Sequence, residues 1–362
     1  MATTATLSEE PRDDYITCVR YDYFGRRVAT VSADAVLRIR DIDENGMWSV
    51  QDGCEIKNTH AGTVWKVDWA HPDFGQLLAT CGQDCIVRIW EEHSVSRTLR
   101  DSPRWLCVAS LPESRYGICD VKFAPRHLGL IIAAASEDGK VRIYKASDPT
   151  HPSMWYHEKG FEPCPAGLSV SSISWCLSPF EKPLIAVGTM SGLVQVWGND
   201  GNEEVLGEWV KGEWVKALDL PGHNSLAVSS VDWADSMGRS FHRIASCGAD
   251  EQLQVHVVTS PRKLDGDKWR HDNTHRLQAG KKDEPEASAW QVQWNVTGTT
   301  LVTGGDDGAI RFWGKEHDGT WACFDVAYEA SVYGEKRPSA VVDASPGASV
   351  SAGLHAVPTE DG

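Results

Sequence analysis

Six times along this chain a turn residue is followed three and five places later by apolar residues, and in five of the six that turn residue is aspartate. The series reads Asp34 with Leu37 and Ile39, Asp84 with Val87 and Ile89, Asp138 with Val141 and Ile143, Ser191 with Val194 and Val196, Asp250 with Leu253 and Val255, and Asp307 with Ile310 and Phe312. Ahead of each member a Val or Ile stands two places before an aromatic: Val19/Tyr21, Val67/Trp69, Val121/Phe123, Ile173/Trp175, Val231/Trp233 and Val292/Trp294. Alternation with a period of two marks strands. A third short apolar run lies between the two, such as LLAT at 77–80, and a fourth follows, such as Trp105 to Ala109 or Trp321 to Tyr328.

Four short strands per unit, repeated six times and joined by turns rich in Gly, Asp and Ser, describe an all-β, six-bladed propeller of the WD-repeat type. A lone four-stranded blade cannot bury both faces, so blades stack and each covers its neighbour. The expected blades span about 14–56, 60–110, 115–159, 168–220, 223–279 and 287–329, within a propeller of 14–330. Length alone would admit a seventh blade of about 42 residues. The longest interval between signatures, 257–288, is however a polar insertion around one outer strand.

Each turn carboxylate, Asp34, Asp84, Asp138, Asp250 and Asp307, with Ser191 in the remaining place, is expected to accept backbone N–H groups in its tight bend. That settles the one suggestive thiol motif, CGQDCIVRIW at 81–90: Cys81 and Cys85 flank a hairpin turn, and no third and fourth metal ligand stands at suitable spacing. The ten cysteines fall at irregular intervals, as reduced and mostly buried thiols do.

A net charge of −16 disfavours nucleic acid and anionic lipid as general partners. The N-terminus lacks a basic start followed by an apolar stretch, and no run of about 18 apolar residues suggests membrane insertion. No Gly-rich phosphate loop, nucleophile elbow or H-E-x-x-H cluster is present, so we expect neither enzyme activity nor a cofactor or metal. Asn295 fits a glycosylation acceptor but reads as a turn after a strand.

Many propellers of this type close by lending an N-terminal strand to the last blade. Here the last blade already holds four candidate strands, and residues 1–13 are polar, weakly β-prone and expected to be flexible. Two readings follow: a ring left open between blades one and six, or one closed by ATTATL or by the tail. In the open ring, Val19, Tyr21, Leu37 and Ile39 on one side and Trp290, Val292, Trp294 and Phe312 on the other are the candidates to line a partner-binding groove. The tail, 331–362, is rich in Ala, Ser, Val, Gly and Pro and is expected to be disordered.

The stretch HAGTVWKVDWAHPDFGQLLATCGQDCIVRIWEE, 60–92, resembles the second blade of the Sec-thirteen and Seh family, and DVKFAPRHLGLIIAAASEDGKVRIYKA (120–146) with MGRSFHRIASC (237–247) is similar to its Seh-type nucleoporin branch. The insertion and the tail have no counterpart in it. WD repeats link the turn Asp to a His and a Trp, and His60, Asp84 and Trp90 stand in those places, as do His223 and Asp250 with His256 replacing the Trp. The resemblance implies an open six-bladed propeller whose seventh blade is donated by an α-helical (α-solenoid) scaffold nucleoporin of the Y-shaped coat, alongside other coat subunits, at the nuclear envelope. It also implies a place in an assembly regulating TOR growth signalling at the lysosomal or vacuolar membrane periphery. The alternatives are a vesicle-coat subunit for export from the endoplasmic reticulum and a ubiquitin-ligase substrate receptor. The latter rests on an Asp-x-x-x-Arg spacing that recurs in four blades and is better explained by the repeat.

Overall fold

In a computed structural model the described residues are 15–42, 46–93, 105–164, 167–201, 212–261, 269–277 and 289–328, and they form 24 strands in six four-stranded antiparallel sheets. Blade one comprises β1 (Ile16–Tyr21), β2 (Arg27–Ser32), β3 (Leu37–Ile42) and β4 (Trp48–Ile56). Blade two comprises β5 (Val64–Trp69), β6 (Leu77–Gly82), β7 (Val87–Glu92) and β8 (Trp105–Leu111). Blade three comprises β9 (Ile118–Phe123), β10 (Ile131–Ser136), β11 (Val141–Ala146) and β12 (Trp155–Phe161). Blade four comprises β13 (Val170–Trp175), β14 (Leu184–Thr189), β15 (Val194–Asn199) and β16 (Trp214–Leu220). Blade five comprises β17 (Val228–Trp233), β18 (His242–Gly248), β19 (Leu253–Thr259) and β20 (Arg270–Leu277), the last lying in the polar insertion. Blade six comprises β21 (Ala289–Trp294), β22 (Thr300–Gly305), β23 (Ala309–Lys315) and β24 (Trp321–Tyr328).

Every sheet is built from four consecutive strands, so among the described residues no strand of one chain end joins the sheet of the other. The expected flexible segment, 1–13, and the expected disordered tail, 331–362, lie outside the described residues.

The repeated turn joins the second and third strands of each blade. The residue after the turn Asp or Ser is left-handed every time: Ala35 (φ 59°), Cys85 (65°), Gly139 (80°), Gly192 (85°), Glu251 (61°) and Gly308 (67°). The turn side chain makes that bend tolerable. Asp34, Asp138 and Asp307 accept the N–H groups of Val36 (3.1 Å), Lys140 (3.2 Å) and Ala309 (3.0 Å), and Asp250 that of Gln252 (3.3 Å). Ser191 answers instead to the hydroxyl of Thr189, at 2.9 Å.

The hydrophobic core is divided into seams between blades. Ala29, Leu37 and Ile39 meet Val67, Leu78 and Trp90 between blades one and two. Cys81, Val87 and Ile89 meet Val121 and Ile132 between two and three, where a smaller cluster of Leu77 with Leu130 adds to the contact. Val141 and Ile143 meet Ile173 and Trp175 between three and four; Val194 and Val196 meet Val231 and Trp233 between four and five. Leu253 and Val255 meet Val292 and Trp294 between five and six. Among the described residues no such cluster joins blade six to blade one, and β21 and β1 make no contact comparable to those between successive inner strands. Each fully buried Val, Leu or Ile in a seam stabilises the fold by about 1.5–3 kcal/mol, so the lack of a sixth seam among the described residues is a large omission.

Candidate interaction site at the open seam

The two faces of a blade carry different repeat positions. The apolar residues three and five places after the turn face the following blade, and the Val-x-aromatic pair faces the preceding one. This parity decides what borders the gap. On blade one it is Val19 and Tyr21, 39% and 59% exposed, with Tyr21 leaning on Trp48 at a ring separation of 5.8 Å. On blade six it is Ile310 and Phe312.

Ile310 is 47% exposed, whereas its counterparts Leu37, Val87, Val141, Val194 and Leu253 are all at or below 4%. Phe312 is half-buried and packs on Phe324, itself exposed, at 6.3 Å. Strand register places Gln293, Val302 and Phe312 in one row of this flank, and Gln291, Gly304 and Ile310 in the next.

Four of the eight groove candidates are therefore corrected. Leu37 and Ile39 are buried in the seam between blades one and two, and Val292 and Trp294 in the seam between five and six. The alternation was legible, but the face that each register position presents becomes visible only when the blades are stacked. Trp290 is exposed, with its indole N–H on Asp306, in the irregular register between Ala289 and Gln291. Ile310 was overlooked, although its place in the Asp307 series was the available signal.

The repeat residues form closed hydrogen-bond chains. Asp84 takes the His60 Nδ1–H (2.7 Å), the Ala61 N–H (3.1 Å) and Arg88 Nη1 (2.8 Å). The other imidazole nitrogen meets Thr80 Oγ1 at 2.8 Å, and the Trp90 indole donates to the same hydroxyl at 2.9 Å. A carboxylate only accepts, so His60 carries its proton on Nδ1 and Thr80 donates to Nε2. Burial lowers the His60 pKa; burial also works to raise that of Asp84, but the interactions with His60, Ala61 and Arg88 together outweigh it and hold the carboxyl below the usual range.

Blade five repeats the chain with His223 Nδ1 at 2.7 Å from Asp250, His223 Nε2 at 2.8 Å from Ser246 Oγ, and His256 Nε2 at 3.0 Å from that hydroxyl. Thr274 Oγ1 stands 3.0 Å from His256 Nδ1, so His256 replaces the tryptophan as an N–H donor. Burial pushes its pKa down to about 3. Sequence reading found the His, Asp and Trp members but not Thr80 or Ser246, because a hydroxyl in a strand has no signature of its own.

The cysteines of the CGQDC motif are in place for structure: Cys81 is buried in the seam between blades two and three, and Cys85 occupies the left-handed turn position. Among the described residues no group of three or more His, Cys, Asp or Glu side chains is disposed to hold a metal, and no helix is long and apolar enough to cross a membrane.

A propeller with this turn and these His–Asp–hydroxyl–Trp chains is a WD-repeat protein, and the profile of the WD domain, G-beta repeat, matches residues 53–91, 105–145 and 282–314. Nucleoporin SEH1-A of Xenopus laevis is 35% identical over 325 residues, covering 86% of this chain and 85% of its own. The human Nucleoporin SEH1 is 34% identical over 323 residues (86% and 85%), and that of Danio rerio 33% over 345 residues (91% and 90%). The chain belongs to the Seh-type family of WD-repeat nucleoporins, proteins of the nuclear pore complex at the nuclear envelope.

Proposed function

We propose that this protein is a non-catalytic scaffold subunit of the Y-shaped pore coat, binding an α-helical scaffold nucleoporin that inserts a seventh blade between blades six and one. The observation that carries this reading is the pair of bare flanks, with Ile310 and Phe312 on one side and Val19 and Tyr21 on the other, at positions that are core elsewhere in the ring. An exposed apolar flank of this kind is a liability in solution and an asset in a permanent interface. Strand addition supplies the main-chain bonds and the buried side chains together.

The buried His–Asp pairs support a structural role, since Asp84 and Asp250 are each occupied in holding their own turns. The same gap offers one seat to any blade donor, so a growth-signalling assembly would use it in alternation with the pore coat. Co-expression with candidate α-helical nucleoporins tests the proposal. The protein alone should aggregate, and one partner should yield a soluble equimolar complex; a dispersed monomer unaffected by every candidate would refute it.

A further inference from the structure

Three of the five seams between successive blades are tied at the inner strands by a polar relay that uses the residue just before the aromatic. Asp68 Oδ2 accepts the main-chain N–H of Phe123 in the next blade at 2.8 Å. Ser174 Oγ accepts that of Trp233 at 3.0 Å, and Asp232 Oδ2 that of Trp294 at 2.7 Å. Between blades three and four the bond falls two residues earlier on both strands, where Asp120 Oδ2 takes the Ile173 N–H at 3.0 Å. The tryptophans then reach back. Trp69, Trp175 and Trp294 donate their indole N–H groups to the main-chain carbonyls of Arg20 (3.0 Å), Lys122 (3.2 Å) and Asp232 (3.2 Å) in the blade before.

At the sixth seam both halves of this device are present and face the gap. Tyr21 holds the register position of Phe123, Trp233 and Trp294 on its inner strand, with Tyr21 opposite Val28 as Trp233 is opposite Ile244. Its N–H therefore points where the other three find an acceptor. Gln293 holds the position of Asp68, Ser174 and Asp232 on β21, and its side chain is exposed. A glutamine offers an amide oxygen as well as its main-chain carbonyl.

We infer that the polypeptide filling the gap contributes an innermost strand in which a short acceptor side chain (Asp, Asn, Ser or Thr) directly precedes a tryptophan. The acceptor takes the Tyr21 N–H, and the tryptophan gives its main-chain N–H to the Gln293 amide and its indole N–H to the Gln293 carbonyl. The required pair is one this chain itself uses three times in the same place, as Val67-Asp68-Trp69, Ile173-Ser174-Trp175 and Val231-Asp232-Trp233. The inference rests on the blade-donation reading and specifies the chemistry of the donor. It also gives the inserted blade one orientation, since a reversed strand would set the acceptor and the indole at the wrong flanks.

A benzophenone amino acid placed at position 21 or position 293 of the full chain keeps both main-chain groups and reports their neighbours by photocrosslinking in cells, with mass spectrometry of the joined peptides. Both positions should capture one segment of one helical partner containing an acceptor–tryptophan pair. Alanine at that acceptor, and separately Gln293→Leu on this chain, should each weaken the purified complex by roughly 10-fold, as loss of a buried hydrogen bond does. A partner segment without the pair, or unchanged affinity in both variants, overturns the inference and leaves blade donation standing. Capture of residues 1–14 of the same chain, of a second copy, or of no partner overturns both.

Discussion

His60 Nδ1 lies 2.7 Å from Asp84 Oδ1 across 24 residues of sequence, and that bond, with the Ala61 N–H on the same carboxylate, joins the entry to blade two to its hairpin turn. Removing the carboxylate by Asp84→Ala leaves a buried imidazole donor without its acceptor and Arg88 without its ion-pair partner. The expected loss is about 2–3 kcal/mol in urea unfolding of the complex. Asp84→Asn keeps an acceptor and should lose less than half as much; equal losses would show that charge, not the bond, matters here.

Blade five should be the acid-sensitive sector. His256 has its pKa pushed from 6.5 to about 3 by burial, so it is neutral in the fold while the unfolded chain binds a proton as pH drops below 6.5. A depressed folded pKa contributes stability that is whole above the unfolded value and is lost as pH falls towards the folded one. This group alone should cost up to about 1.4 kcal/mol per pH unit through that window. His256→Gln retains an N–H donor without titrating, and stability measured from pH 7 to 4 should fall less steeply in the variant. Parallel curves would remove His256 from the account.

Three of the six left-handed turn positions carry a side chain where the others carry glycine. Cys85, at φ 65°, is the informative one because its side chain is not fully buried and its thiol makes only a 3.5 Å contact to the Gln83 carbonyl. Cys85→Gly should raise stability by about 1 kcal/mol by relieving the left-handed conformation, with some of that gain returned through the freer unfolded chain. A thermal midpoint that drops would mean the thiol has a role beyond the turn.

The flank and the core can be separated by one pair of variants. Ile39→Asp places a charge in the sealed seam between blades one and two and should prevent folding. Ile310→Asp, at a half-exposed place in the same repeat series, should leave the circular dichroism spectrum intact and abolish co-purification of the partner. Identical behaviour of the two would mean that the flank of blade six is already filled.

The blades were legible because each carries its own punctuation: an Asp turn (Ser191 in blade four), alternating strands on either side of it, and an aromatic two places after a Val or Ile ahead of it. The fate of individual side chains was less so. Leu37 and Ile310 occupy one repeat position and read alike, yet one is sealed and the other faces the gap, since burial depends on whether a neighbouring blade exists. Likewise Asp68 and Asp232 look like surface carboxylates within strands. Their half-buried place on the inner strands, where desolvation raises their pKa values, arises from strands that are distant in sequence converging there.

Since every sheet is woven from four consecutive strands, blade six is the last of the blades to leave the ribosome, and among the described residues only blade five shares a core cluster with it. On the proposed blade donation, a molecule made in excess of its donor would keep that sector on permanent display to chaperones and proteases. On that proposal the uncovered flank doubles as a stoichiometry gauge, through which unassembled copies are recognisable as surplus.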